Sequence, residues 1–220
     1  MFDEMLNGPD ARGREPYRSL LSWLEDQDFT KLRKQSAQAE DLFRRIGITF
    51  NVYGDEDGEE RIIPFDLIPR IIAADEWRQL ERGIIQRVAA INAFLSDIYH
   101  QQEIVRAGVI PASLIHGNKA FMPQMCGFTP PGNVYTHVVG VDIVRTGPDS
   151  FFVLEDNARV PSGVSYMIEN RATMLQMFPE LFASHRIQGV GDYPKQLFRS
   201  LAESAHTLID NPNIAVLTPG

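Results

Sequence analysis

The chain has 220 residues, 44% hydrophobic and 23% charged, which is the ordinary composition of a soluble globular protein. The 29 acidic and 21 basic residues give a net charge of −8 without any run of Lys or Arg, which argues against a nucleic-acid-binding surface. A single cysteine, Cys126, excludes an internal disulfide and a Cys-x-x-Cys metal site. With no apolar run near about 18 residues and no signal-peptide pattern, we expect no membrane contact and a cytoplasmic location.

Helices dominate the first part of the chain. Apolar spacing predicts a helix over residues 17–24 and a second helix over residues 30–46. Thr30 is expected to cap the start of the second helix, and Gly47 is expected to cap its end. The helix-rich N-terminal region is therefore expected to begin with two short amphipathic helices.

A small hairpin is expected next. Residues 48–53 and 61–63 have the composition of two strands, and Asp57-Gly58 is a strong turn signal between them. The acidic connection, residues 55–60, lacks the twelve-residue pattern of an EF-hand. We therefore interpret it as a solvated hairpin tip and not as a metal-binding loop.

The longest helical pattern covers residues 75–100, with Asp75 as its predicted N-cap. Residues 101–107 are a candidate extension of this helix, which Gly108 ends. The periodic apolar positions are Trp77, Leu80, Ile84, Val88, Ile91, Leu95 and Ile98. This stripe predicts a core-facing helix surface.

Loop-forming residues are concentrated in residues 111–136. Phe121-Met122 is a candidate short strand within this segment. His100 and His116 have no ligand partners at useful spacing, so hydrogen-bonded structural roles are expected for both. No phosphate-binding P-loop and no Gly-x-Gly-x-x-Gly pattern occurs in the chain, so neither of these nucleotide sites is predicted.

The segment VGVDIVRTGPDSFFVLEDN predicts a β-hairpin with Pro148 and Asp149 at its tip. In that register Asp142 lies directly opposite Glu155. Two facing carboxylates repel each other unless one is protonated or a cation lies between them.

Asn157 follows Glu155 by two residues and therefore points to the same face of the strand. Two carboxylates and an amide oxygen, with no His or Cys nearby, form an oxygen-only set that suits Mg²⁺ or Mn²⁺ better than zinc. Such a site usually completes its coordination with water and substrate phosphates. The alternative is a solvated hairpin end whose acids face water.

A polar loop follows the hairpin. Gly163, Ser162 and Ser165 offer N–H and O–H donors to a phosphate or carboxylate, and Arg159 offers a neutralising charge. The alternative is a turn that starts a helix over residues 166–182, with Ser162 or Ser165 as its N-cap. Arg171 is either a phosphate contact or an ion-pair partner of an acid such as Glu169 or Glu155.

The last segment differs in character. Residues 189–192 are predicted to be a linker, residues 193–208 an amphipathic helix, and residues 214–220 the first strand of an α/β unit. We expect the chain to be the N-terminal part of a longer protein. The predicted regions are 1–110 (helical with a small hairpin), 111–188 (the metal-binding segment) and 189–220 (linker helix and first strand).

Three phrases carry a family resemblance: QRVAAINAFLSDIYH, HVVGVDIVR and LEDNARVPSGVSYMIENR. They are similar to the circularly permuted ATP-grasp proteins related to glutathionylspermidine synthetase, and the likeness runs over essentially the whole chain. It implies an α+β fold, in which an antiparallel sheet with packed helices forms the metal-binding half and the chain ends in the first strand of an α/β unit.

The resemblance also implies a function, an ATP- and Mg²⁺-dependent carboxylate–amine ligase that works through an acyl phosphate. Its partners would be a carboxylate substrate, an amine substrate and the C-terminal remainder of the ATP-grasp protein, which holds the ATP-clamping lysines. The implied roles are metal binding by Asp142, Glu155 and Asn157, catalysis by Arg159, Ser162 and Gly163, and nucleotide contact by Arg171 and Ser165.

One position departs from the family pattern. Related ligases have an arginine two residues before the strand aspartate, where this chain has Gly140. Arg145, Arg159 or Arg171 is expected to substitute, unless the chemistry differs in detail. Two other functions stay open, a non-catalytic binding or assembly module and a phosphotransferase that uses the same metal.

Overall fold

The structure of the protein is a computed structural model that describes residues 2–6, 13–50, 61–183, 185–205 and 209–217. Predicted features within residues 51–60, 206–208 and 218–220 lie outside the described residues. The chain forms two compact units. The first unit contains Met1–Glu76, Arg145–Ser150 and Ser162–Gly191, and the second contains Trp77–Val144, Phe151–Pro161 and Asp192–Gly220. The three-region division made from the sequence stays a prediction.

Two helices open the first unit, α1 (Arg18–Glu25) and α2 (Phe29–Ile46). The N-cap of α2 is Asp28, whose carboxylate accepts a hydrogen bond of 2.7 Å from the Thr30 amide. The predicted cap at Thr30 is therefore wrong by two residues. The Asp28 carboxylate caps the helix, because it accepts a hydrogen bond from the Thr30 N–H, one of the amides that have no partner within the helix. Gly47 ends α2 in the left-handed conformation, at φ 78°, as predicted.

The small hairpin is confirmed in its described part. Strand β1 (Thr49–Phe50) pairs antiparallel with β2 (Arg61–Ile62), and Thr49 lies opposite Ile62. The acidic connection lies outside the described residues.

The core of the first unit joins segments that are far apart in sequence. Phe43 and Phe178 have no exposed surface, and each packs edge-on against a second ring, Phe65 at 5.1 Å and Trp23 at 5.2 Å respectively. The buried set is Tyr17, Leu20, Ala39, Phe43, Ile48, Phe65, Met174, Phe178 and Leu181. Burial of each large side chain contributes about 1.5–3 kcal/mol, so this cluster is the main source of the unit's stability.

Two helices supply the later part of that core, α6 (Val164–Met177) and α7 (Pro179–Ala183). The sequence predicted one helix over residues 166–182, but the helix is interrupted at Phe178, since Pro179 disfavours helical geometry in the residue before it. The N-cap of α6 is Gly163, at φ 96°, and no side chain caps the helix. The predicted caps at Ser162 or Ser165 are therefore wrong.

The long helix α3 (Ala74–Tyr99) forms nearly as predicted. It begins one residue earlier, so Asp75 lies in its first turn and is not the cap. The capping carboxylate is that of Glu76, which accepts a hydrogen bond of 3.0 Å from the Ala73 amide. Leu80 and Ile98 are buried as the apolar stripe requires, whereas Trp77 is 43% exposed.

Helix α3 does not continue into residues 101–107. Gln102 adopts the left-handed conformation, at φ 54°, and a separate short helix α4 (Glu103–Arg106) follows. The Asp97 carboxylate accepts hydrogen bonds from the Glu103 and Ile104 amides, at 2.8 and 3.0 Å. This carboxylate satisfies the first donors of α4, which explains the break.

A second apolar cluster lies at the end of α3. Tyr99 stacks on Phe121 with ring centroids 5.1 Å apart, and α5 (Ala112–His116) adds Ile115. The predicted strand at Phe121-Met122 does not form. His100 and His116 are hydrogen-bonded structural residues as expected, to Ser96, Thr129 and Gln102.

The predicted central hairpin is confirmed. Strands β3 (Gly140–Gly147) and β4 (Ser150–Asn157) form a two-stranded sheet joined by a two-residue turn, Pro148-Asp149. With helices packed around antiparallel strand pairs, the fold is α+β.

The last helix, α8 (Tyr193–Glu203), ends earlier than predicted. Residues 214–217, predicted to begin a new strand, form no strand here, and Val216 and Leu217 are almost fully exposed. A strand requires a partner for its backbone groups, and the described residues offer none at this point. Within the described residues, no helix has the length and apolar character needed to cross a membrane.

Candidate metal and substrate site

The register of the central hairpin follows from its two end pairs. A Cβ atom on Gly140 would lie 3.5 Å from the Asn157 Cβ, and one on Gly147 would lie 3.4 Å from the Ser150 Cβ. These contacts make each glycine the cross-strand neighbour of the residue it approaches. The same register brings Asp142 directly opposite Glu155.

The three predicted metal ligands, Asp142, Glu155 and Asn157, share one face of the hairpin, and all three are exposed. Asn157 Nδ2 donates a hydrogen bond of 3.0 Å to Glu155 Oε1. Its amide oxygen and both carboxylates are hard oxygen donors of the kind that Mg²⁺ and Mn²⁺ bind. The donor set therefore fits a divalent cation that takes further ligands from water or phosphate.

Within the described part of the chain, no group of three or more His, Cys, Asp or Glu side chains is arranged to hold a metal ion. The hairpin trio has two carboxylates and one amide. A cation would therefore depend on ligands from outside this set, as Mg²⁺ at phosphate sites usually does.

Asp156 lies between two of these residues in sequence and points to the opposite face of β4. Its oxygens accept bonds of 2.7 and 2.8 Å from Arg87 Nε, and Oδ2 lies 2.6 Å from Arg87 Nη2. The hydrogen bonds with Arg87 lower the pKa of Asp156 and raise that of Arg87. Asp156 is not among the site residues predicted from the sequence, although its position in β4 indicates an acid on the face opposite the proposed ligands.

The remaining predicted site residues are divided between the two units. Arg159 is exposed and belongs to the second unit, together with the hairpin trio. Ser162, Gly163, Ser165 and Arg171 belong to the first unit. That these four residues lie close to the hairpin trio stays a prediction.

Within the first unit these residues have local roles. Ser162 and Ser165 are exposed, and the Gly163 carbonyl accepts bonds from the Tyr166 and Met167 amides at the start of α6. Arg171 Nη1 donates a bond of 2.7 Å to the Gln188 carbonyl, and its guanidinium lies 5.8 Å from the Phe182 ring centroid.

Arg145, one proposed substitute for the arginine missing at Gly140, has a structural role. Its side chain is fully buried; it donates to the Gly147 carbonyl at 3.1 Å and to the Pro148 carbonyl. It also forms an ion pair with Glu76. These bonds hold the hairpin tip, so Arg145 is occupied away from the metal-binding end.

Glu76 also bonds Arg14 and the Ala73 amide. Burial alone would raise the pKa of Glu76, but the hydrogen bonds from Arg145, Ala73 and Arg14 outweigh it and lower this pKa below its ordinary value. Glu76 is thus charged in the folded protein at neutral pH.

Known proteins resemble this chain over its whole length. A family profile described as a circularly permuted ATPgrasp matches residues 69–220. An uncharacterized protein of Mycobacterium tuberculosis is 47% identical and one of Synechocystis 42% identical, both over the whole of this chain. The chain spans 39% and 45% of their lengths. A putative glutamate–cysteine ligase of Frankia casuarinae is 38% identical over the whole chain, which covers 25% of that protein.

Proposed function

Because the chain belongs to the circularly permuted ATP-grasp family, we propose that it supplies the metal-binding part of an ATP-dependent ligase that joins a carboxylate to an amine. The observation that carries this proposal is the hairpin register, which faces Asp142 with Glu155 and keeps Asn157 on the same face. Two relatives from Frankia that are named putative glutamate–cysteine ligases support the reaction class.

In this proposal Asp142, Glu155 and Asn157 hold Mg²⁺, or Mn²⁺ in its place. When bound, the cation neutralises the negative charge of the ATP phosphates. The exposed trio is open to solvent on its ligand side, so phosphate oxygens can complete the coordination. Arg87 holds the strand that carries two of the three ligands.

The proposed chemistry has two steps. The terminal phosphoryl group of ATP passes to a substrate carboxylate, giving an acyl phosphate and ADP. The amine then attacks the acyl carbon, and an amide forms as phosphate leaves. Arg159 stabilises the negative oxygens of these species with charge-assisted hydrogen bonds, and the Ser162–Gly163 segment adds neutral donors. Ser165 and Arg171 contact the nucleotide.

The metal site is tested by titrating the chain with Mn²⁺ and following the loss of the free-ion electron paramagnetic resonance signal. We expect Asp142→Asn and Glu155→Gln each to weaken binding at least about tenfold, because each removes a charged ligand. Asp149→Asn is the matched control, since Asp149 is an exposed acid at the tip of the same hairpin. Equal Mn²⁺ binding by all four proteins would refute the site.

The reaction is tested in a polypeptide that carries this segment together with the rest of the length found in the relatives. Glu155→Gln is expected to abolish ADP formation while the melting temperature stays unchanged. Normal turnover by this variant would contradict the assignment. A phosphorylated product without any amide would identify a phosphotransferase.

A second function, a non-catalytic binding module, is favoured by the apolar surface of β4. Phe152 is 60% exposed and Leu154 72% exposed, and both lie on the same face of the hairpin. Thermal unfolding of the chain with Mg²⁺, with ATP and with both discriminates the two functions. A shift that needs both ligands and is lost in Asp142→Asn supports the ligase, whereas no shift in the chain or in the longer polypeptide supports the binding module.

A further inference from the structure

A groove of about 440 Å³ lies in the second unit, at the end of the hairpin where β3 begins and β4 ends. One side is formed by residues 135–138, which precede β3, and the other by residues 158–161, which follow β4. Tyr193 and Leu197 of α8 complete it. The groove therefore begins one residue beyond Asn157, the last proposed metal ligand.

A partly buried network of hydrogen bonds fixes the shape of this groove. The Thr136 hydroxyl, 8% exposed as a residue, donates to the Ala158 carbonyl at 2.7 Å and thus ties one side to the other. The Asn92 side-chain oxygen accepts bonds from the Tyr135 and Thr136 amides, at 2.7 and 3.2 Å. Because hydrogen bonds from the Thr136 and Asn92 side chains hold the backbone on these sides, a ligand would meet a preorganised surface.

The charge of the lining is opposite to that of the protein. The chain has a net charge of −8, yet none of the residues that line the groove is Asp or Glu. Arg159 is exposed there and, among the residues that the structure describes, takes part in no ion pair. His137 and the Tyr193 hydroxyl add hydrogen-bonding groups. A guanidinium that forms no ion pair with the described residues, in a groove lined without acids, can bind a carboxylate through two parallel hydrogen bonds.

We propose that this groove binds the carboxylate of the acid substrate, with Arg159 as its cationic partner. His137 and Tyr193 contact the same carboxylate group or a second polar group of the acid, and Leu197 contacts its carbon chain. The identification of this acid as a substrate rests on the proposed ligase function, whereas binding of a carboxylate does not.

Gly140 connects the groove with the metal site. A Cβ atom at this position would lie 3.4 Å from the Pro161 Cβ and 3.5 Å from the Asn157 Cβ, so the glycine faces both the groove lining and a proposed metal ligand. A longer side chain here would fill the space between them. The residue that departs from the family pattern therefore adds no side chain between Pro161 of the groove and Asn157.

The test is a nuclear magnetic resonance titration of the ¹⁵N-labelled chain, with L-glutamate and inorganic phosphate in separate experiments, without metal or nucleotide. Glutamate is expected to give saturable shifts of the His137, Arg159 and Tyr193 amides. Phosphate, which a guanidinium also binds, is expected to bind more weakly, because it leaves the contacts of the carbon chain unused. Arg159→Gln should weaken glutamate binding about tenfold or more, the loss expected for a charge-assisted pair. Arg82→Gln, which removes an exposed arginine of α3 in the same unit, should leave it unchanged.

Leu197→Glu provides an independent variant, because it places a carboxylate in the groove and should abolish glutamate binding. The spectrum of each variant reports its folding directly. Absence of glutamate shifts, equal glutamate affinity in Arg159→Gln, or binding of phosphate at least as tight as that of glutamate would each overturn the proposal. The glutamate titration contains no metal, so the two proposals fail separately. Normal glutamate binding without Mn²⁺ binding would refute only the metal site. Normal Mn²⁺ binding without glutamate binding would refute only the groove.

Discussion

Arg87 and Asp156 form a bidentate ion pair that joins helix α3 to strand β4. In sequence, Asp156 lies between two of the residues proposed to bind metal. The guanidinium bonds both carboxylate oxygens, at 2.6–2.8 Å. Glu155 and Asn157 flank Asp156 in sequence, and alternation along the strand turns their side chains to the other face. The pair therefore fixes the backbone from which two of the three proposed ligands extend.

Breaking this pair is predicted to affect metal affinity more than folding. Arg87→Gln and Asp156→Asn should each weaken Mn²⁺ binding about tenfold, as expected when a group that orients metal ligands is lost. Their melting temperatures should change little, because exposed ion pairs contribute weakly to stability.

The double variant is the control for this prediction. If the two residues act as one unit, the combined loss of Mn²⁺ affinity should be no larger than either single loss. Additive losses would show that each residue acts separately, and unchanged affinity would show that the pair does not position the ligands.

The partly buried charge of Glu76 is predicted to stabilise the fold. Glu76→Gln removes the nearer of two carboxylates that pair with the fully buried Arg145, the other being Glu4 at 3.8 Å, and should lower the free energy of unfolding by on the order of 3 kcal/mol. Chemical denaturation at pH 7 measures the change. Glu81→Gln, at an exposed position of the same helix, should have almost no effect.

The same residue predicts a pH dependence. Folding lowers the pKa of Glu76, so the unfolded chain binds the proton more tightly than the folded chain does. The stabilisation is therefore complete above the unfolded pKa, about 4.5, and is lost as the pH falls through the lower folded value. The melting temperature of the wild type should fall more steeply than that of Glu76→Gln below this pH, and parallel curves would contradict the assignment.

Gly163 is predicted to resist substitution for a backbone reason. At φ 96° an L-residue is strained, so Gly163→Ala should destabilise the chain by about 1–2 kcal/mol. Gly189→Ala is the control, since a Cβ there meets nothing within 4 Å and the φ is not in the strained range. Thermal unfolding of the two variants separates the effect of backbone strain from the general effect of replacing a glycine by alanine. Equal melting temperatures for Gly163→Ala and Gly189→Ala would refute the predicted strain.

Gly140→Ala is predicted to fold normally. The added Cβ makes ordinary contacts of 3.4 and 3.5 Å with Pro161 and Asn157, and the position has no left-handed backbone. The lower entropy of the unfolded chain should raise stability by up to about 1 kcal/mol. A fall in melting temperature would show that the space beside Asn157 is tighter than these distances indicate.

Local sequence signals predicted several elements well. The turn at Pro148-Asp149, the alternation that follows it and the register of Asp142 against Glu155 depend on residues close together in the chain. The left-handed Gly47 and the periodicity of α3 are equally local. The predicted helix ends were wrong in two kinds of place. At the start of α2, Asp28 and Thr30 are both able to cap the helix, and Asp28 does so. After α3, Gln102 adopts a left-handed conformation and interrupts the helix, although residues 101–107 were a candidate extension of it.

The amino-acid sequence by itself determined the hairpin, the oxygen-only donor set and the family, because each depends on residue identity at short spacing. Only the tertiary structure decided that Arg87 holds Asp156, that Arg145 is buried against Glu76, and that Arg159 and Tyr193 line one groove. These pairs are separated by 34 to 69 residues in the chain. No local pattern encodes which of many charged side chains will meet across such distances, since that choice is made when the elements pack.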